Sequence, residues 1–208
     1  MKAHTKETQA TMTPNKALDF LKEGNQRFQN NLKANRNLLE QVNDTSEGQF
    51  PFATILSCID SRVSAELVFD QGLGDIFSIR IAGNFSNEDI LGSMEFGCKL
   101  AGTKLVVVLG HTSCGAIKGA CDHARLGNLT ALIKKIEPAV DAVTEPKDES
   151  QRNSQNLEFV DKVAEKNVLL TINNIRQHSP VLAEMEDNGE IKIVGAMYDI
   201  STGEVVFY

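Results

Sequence analysis

Short apolar runs alternate along this chain with longer stretches whose apolar positions recur every three or four residues. The runs at Ala53–Ser57, Asp75–Ile81, Lys104–Gly110 and Glu190–Ile200 read as strands. Apolar residues at consecutive positions predict strands buried on both faces, as in a parallel sheet. Ser201-Thr202-Gly203 reads as a turn, and Glu204–Tyr208 as a strand returning antiparallel at one edge.

The stretches between the runs predict helices. Thr13-Pro14 sets a capping hydroxyl before proline at the first helical position, and Ala17, Leu18, Leu21 and Phe28 then fall near one face. Leu38, Leu39 and Val42 mark a second amphipathic stretch, and Ala65–Phe69 a short helix. Ser86 or Asn87 caps a helix that carries Ile90, Leu91, Met94 and Cys98 and ends near Gly102. A small-residue helix runs from Gly115 through Ala120, and Asn128 caps another that Pro138 is expected to break or kink. Leu157–Ile175 is a long amphipathic helix, and Ser179-Pro180 starts a short one. This alternation predicts an α/β fold: a mostly parallel central sheet with an antiparallel edge strand, helices on both faces and an N-terminal helical arm.

The length of 208 residues suits one domain over 1–208 with a sizeable core. Residues 1–12 read as a polar tail and 13–46 as the helical arm. The arm precedes the first strand, so it packs on its own domain from outside or on another subunit. The polar stretch Thr144–Gln155 reads as a loop within the domain.

Apolar residues make up 41% and charged residues 24%, ordinary for a soluble globular chain. A net charge of −7 argues against nucleic acid as a partner. No apolar run approaches the roughly 18 residues of a membrane span, which argues against a membrane partner. The opening residues lack the apolar core of a secretory signal, and four cysteines are too few for a disulfide scaffold. Free thiols fit a reducing cytoplasm, and a leader removed upstream is compatible with that reading.

Two of the predicted strands empty into reactive side chains. The first ends at Cys58, with Asp60 and Arg62 at alternate positions after it; another opens onto His111 and Cys114. Two thiols and an imidazole make a zinc ligand set with one position left open, the mark of a catalytic rather than a structural site. No tandem pair of CxxC motifs is present, which excludes a zinc ribbon. Asp60 and Arg62 point to one side of an extended segment, where arginine can fork onto the carboxylate. Held there, Asp60 either closes the site as fourth ligand or turns to Arg62 and accepts a hydrogen bond from the reacting water. Two thiolates cancel the charge of zinc, so its water is acidified less than at a three-histidine site. Cys98 and Cys121 read as small buried hydrophobes. His4, His123 and His178 read as structural or solvated.

The pair CxDSR and HxxCG on an α/β sheet resembles the β-class carbonic anhydrases, over nearly the whole chain. The resemblance implies reversible hydration of carbon dioxide to bicarbonate and a proton by a zinc-bound hydroxide. It makes Cys58, His111 and Cys114 the Zn2+ ligands and Asp60 with Arg62 the catalytic dyad and gate, with Asp60 a fourth ligand in a closed state only. It makes Gln49, Phe77, Phe96 and Gly115 substrate-binding residues. It also implies a homo-oligomer, dimer or tetramer, in which Gln49 and Phe77 reach a neighbour's zinc. Two departures stand out. Phe96 replaces a pocket tyrosine found in many plant-type members. Arg80 matches the arginine of a regulatory bicarbonate site, but Ile55 stands where that site has tryptophan. The same zinc chemistry would also serve a carbonyl sulfide or carbon disulfide hydrolase, and a silent zinc- or bicarbonate-binding homologue is the remaining alternative.

Overall fold

A computed structural model describes residues 2–208. Five strands form one sheet: β1 (Ala53–Ser57), β2 (Ile76–Arg80), β3 (Leu105–His111), β4 (Lys192–Tyr198) and β5 (Val205–Phe207). Their order is β2-β1-β3-β4-β5, parallel except for β5, which runs antiparallel to β4 at the edge. All residues of β1 and β3 are buried, because helices cover both faces.

Alternate residues of the central strands feed two cores. Ala53, Ile55, Leu105, Val107 and Leu109 meet α2 (Pro14–Gln29) and α4 (Ala65–Val68) through Ala17, Leu21 and Val68. Leu56, Val106, Val108 and Met197 face the other way, toward α5 (Glu88–Glu95), α6 (Gly115–Cys121), α7 (Leu129–Ala142), α8 (Leu157–His178) and α9 (Pro180–Asp187). Complete burial of a leucine such as Leu21 stabilises the fold by about 2 kcal/mol. Cys98 and Cys121 are buried with these side chains, as expected of small hydrophobes.

The arm docks on its own chain. Gly24 of α2 lies so close to Phe69 that a Cβ there would stand 1.8 Å from the Phe69 carbonyl oxygen. Asn25 joins the end of α4 to the turn before β5, donating to the Val68 carbonyl (3.1 Å) and the Gly203 carbonyl (2.9 Å) and accepting from Val205 N (2.9 Å). The following α3 (Leu38–Asp44) leaves Leu38, Leu39 and Val42 exposed.

Several expected boundaries move. The first twelve residues are not a plain tail: α1 (Lys6–Ala10) is closed by a reciprocal Thr5–Thr8 cap. Gln9 ties it down by donating to the carbonyls of Pro51 (2.7 Å) and Ala101 (2.9 Å), and His4 packs against Phe20 and Phe52. Polar composition concealed this, because the docking uses one amide and one ring. Pro138 does not break α7. Both it and Lys134, whose carbonyl loses its helical donor, are exposed, so water can take that bond. Asn128 precedes α7 in helical φ/ψ without a side-chain cap, whereas Asn87 caps α5 by accepting from Ile90 N. After Glu95 the chain passes into a π-helical turn, Phe96–Leu100, and Glu149–Gln151 forms a short 3-10 turn inside the polar loop.

Candidate metal centre

Register brings the two motifs together. Ser57 stands beside Leu109, so the chain leaving β1 at Cys58 runs next to Gly110 and His111 at the end of β3. His111 is still within the sheet, opposite Tyr198 of β4. Thr112 N donates to the Tyr198 carbonyl (3.0 Å), and Ser113 turns the chain with a left-handed φ of 55°. Asp161 of α8 accepts the Ser113 N–H at 2.8 Å, and Cys114 then begins α6. That sharp turn is what lets residues three apart face one point.

The outcome is one buried group, Cys58, His111 and Cys114, with ligand atoms all within 4.8 Å of one another. The two sulfurs are 3.9 Å apart. Two sulfurs on a common tetrahedral zinc would stand about 3.8 Å apart. The imidazole fits the same role. His111 Nδ1 lies 2.9 Å from the Thr112 carbonyl, which only accepts, so the proton belongs on Nδ1. Nε2 is then a bare lone pair, buried and without a hydrogen-bond partner. A buried polar atom left unpaired is costly, and a metal ligand is the case in which that cost is met by the bond to the ion.

The thiols are prepared for the same task. A hydrogen bond from Cys114 holds the Cys58 thiol well below the usual range against burial, with help from the Gly83 N–H at 3.4 Å. The same pairing, with burial, pushes Cys114 up. Two thiols this close share protons, and a cation between them would displace those protons. Gly83 needs to be glycine: its φ is +77°, and a Cβ would lie 2.4 Å from Ile136.

Asp60 and Arg62 stand beside this group as the spacing predicts. Arg62 forks onto the carboxylate, Nε to Oδ1 at 2.9 Å and Nη2 to Oδ2 at 2.7 Å, and its backbone N–H adds a third bond at 3.0 Å. These bonds hold the Asp60 carboxyl far below the ordinary range despite partial burial. Its Oδ2 remains 3.9 Å from His111 Nε2, beyond hydrogen-bond reach.

The carbonic anhydrase family profile matches residues 53–205. The chain belongs to the carbonic anhydrase family. Its relatives include carbonic anhydrase 2 of Mycobacterium tuberculosis, 33% identical over 199 residues, which span 93% of this chain and 92% of that one. Among solved structures, the β-carbonic anhydrase CcaA superposes with a TM-score of 0.72 at 27% identity, over 92% of this chain and 94% of the other. The β-carbonic anhydrase CafA of Aspergillus fumigatus gives 0.71 at 27%, over 93% and 89%. The fold is that of the β class, whose members are lyases of the carbonate dehydratase type.

Phe77 and Phe96, expected at the substrate pocket, line a cleft separate from the Cys-His-Cys group of their own chain. Phe77 and Phe96 meet each other, ring centroids 6.2 Å apart, and line a cleft of about 830 Å³ on the open edge of β2 with Ser78, Arg80, Glu88 and Asp89. None of the three buried ligand residues lines that cleft. Gln49 is exposed ahead of β1. Gly115 does follow the group directly, and a Cβ there would meet no atom within 4 Å, so steric fit does not require glycine. His123 is exposed and paired with Glu137 at 3.5 Å. Sequence reasoning missed Asp161, which lies 48 residues beyond Ser113 with no local pattern to mark it. It also assigned no local role to Arg80, whose side chain reaches the backbone of Cys58 and Asp60.

Proposed function

We propose that this chain catalyses the reversible hydration of carbon dioxide to bicarbonate and a proton, with Zn2+ held by Cys58, His111 and Cys114. The observation that carries this reading is the unpartnered His111 Nε2 aimed into a pair of sulfurs spaced as zinc would space them. When bound, zinc supplies Lewis acidity that makes water nucleophilic near neutral pH. Two thiolates and one imidazole leave the fourth position to solvent.

Asp60, turned onto Arg62, takes two hydrogen bonds on Oδ1 and one on Oδ2, which leaves a lone pair on Oδ2 to accept a hydrogen bond from the attacking water and so to aim that water's lone pair at the substrate carbon. Arg62 fixes the carboxylate's plane and keeps it ionised. Rotated away from Arg62, the same carboxylate would compete for the metal and close the site. The space beside Gly115 admits a small linear molecule at the first turn of α6. Gln49 and Phe77, in the roles the family resemblance gives them, would wall a second copy's site, so the working unit would be a homodimer or a larger assembly.

Stopped-flow hydration of carbon dioxide tests this reading, with zinc content measured on the same sample before and after chelation. Zinc near one per chain and a rate lost on chelation and restored by zinc are expected. A zinc-loaded protein without hydration activity, or with activity only toward carbonyl sulfide, overturns it. Sedimentation of the same sample is expected to give at least a dimer, and a monomer retaining full activity removes the role given to Phe77 and Gln49.

A further inference from the structure

The segment Cys58–Asp60 leaves the sheet where strand pairing stops. Ile81 N donates to the Ser57 carbonyl at 3.1 Å, and beyond that bond the Arg80 side chain takes the place of backbone. Its Nε donates to the Cys58 carbonyl at 3.0 Å and its Nη2 to the Asp60 carbonyl at 2.7 Å. One rigid, planar fork therefore spans the carbonyls of residues i and i+2. The Asp60 carbonyl also accepts Val63 N at 2.9 Å, closing the turn that brings Arg62 back onto the Asp60 carboxylate. Side-chain packing holds this segment only at Cys58, because its middle residue, Ile59, is 61% exposed.

Both carbonyls belong to residues whose side chains face the chemistry. A rotation of either peptide plane would swing the Cys58 sulfur or the Asp60 carboxylate. We infer that Arg80 is a positioning residue for this site: its fork sets the angle between the Cys58 ligand and the Asp60–Arg62 pair. The inference rests on the metal-dependent reading above. A lysine at this position carries the charge but cannot bridge two carbonyls with fixed spacing.

The test compares the parent protein with Arg80→Ala and Arg80→Lys, each loaded with zinc for kinetics and with cobalt(II) for absorption spectroscopy. Arg80→Ala is expected to lower kcat about 10- to 100-fold, the usual effect of removing a group that orients metal ligands. Its KM for carbon dioxide should stay within about twofold, since the Arg80 guanidinium is turned onto the Cys58 and Asp60 carbonyls. Its cobalt bands should shift, because the sulfur ligand is reoriented, while the melting temperature stays near that of the parent. Arg80→Lys should fall between the two, and it serves for every reading if the alanine variant does not fold. A variant with the parent's kcat and an unshifted cobalt spectrum overturns the inference. A lowered kcat that tracks a lowered melting temperature with an unshifted spectrum also overturns it, assigning Arg80 to stability alone. A parent that neither binds cobalt nor hydrates carbon dioxide instead overturns the functional reading on which this one rests.

Discussion

At the scale of single residues, the site is defined by who shares protons with whom. His111 donates its Nδ1–H to a backbone carbonyl and so leaves Nε2 a bare lone pair beside the two sulfurs. Asp60 receives three hydrogen bonds from Arg62 and none from His111, so it stays ionised beside the group without joining it. Replacing Asp60 by Asn is therefore expected to leave zinc bound while lowering hydration about 100-fold, within the range for losing a positioned proton acceptor. Elemental analysis and stopped-flow rates on one preparation check this. Loss of zinc from the variant would make Asp60 a resident ligand instead.

At the scale of elements, two packing contacts decide whether the site is assembled. The first is Asp161 of α8, which holds the strained Ser113 between His111 and Cys114. Asp161→Ala leaves that N–H without its partner, at a cost of about 1–3 kcal/mol. Transfer of zinc to a chelator should become about tenfold faster, since the ligand turn loosens. An unchanged transfer rate would contradict that role for Asp161. The second contact is α2 against the end of α4. Gly24→Ala must push the helix away from the Phe69 carbonyl, and overpacking of this kind costs about 1–3 kcal/mol. A fall in melting temperature of several degrees is expected by calorimetry, with zinc content unchanged, because the metal group lies on the other core.

For the whole molecule, the arm and the domain are joined by charge as well as by packing. Asp70, at the end of α4, accepts from Arg27 Nε of α2 and from Arg36 Nη1, both at 2.6 Å, and from Ala34 N at 3.1 Å. Burial pushes the Asp70 carboxyl up, but the bonds from Arg27 and Arg36 outweigh it and hold the group below its ordinary range. A carboxyl lowered on folding stabilises the native state fully above its unfolded value; the contribution fades as pH falls through the lower native value. Asp70→Asn should therefore cost about 3 kcal/mol at neutral pH, as expected for breaking a buried pair. The gap between parent and variant should narrow below about pH 4. Urea unfolding at pH 7 and pH 3 measures it, and a gap constant across that range would contradict this account.

What the amino-acid sequence determined by itself was most of what is local or periodic, the Thr5–Thr8 cap of α1 excepted. Consecutive apolar residues mark β1 and β3 because a strand covered on both faces has no polar side. The caps at Thr13, Asn87 and Ser179 satisfy the amides of their own helices, and each holds in the structure. The Cys, His and Cys positions were legible because thiolate and imidazole at strand ends have few other uses. Tertiary structure alone decided contacts made across distance. Gln9 on Pro51, Asn25 on Gly203, Asp161 on Ser113 and Arg80 on Cys58 join residues brought together only by the sheet's strand order. A polar side chain bound for a remote carbonyl looks in sequence like any solvated one. Its partner exists only once the chain has folded.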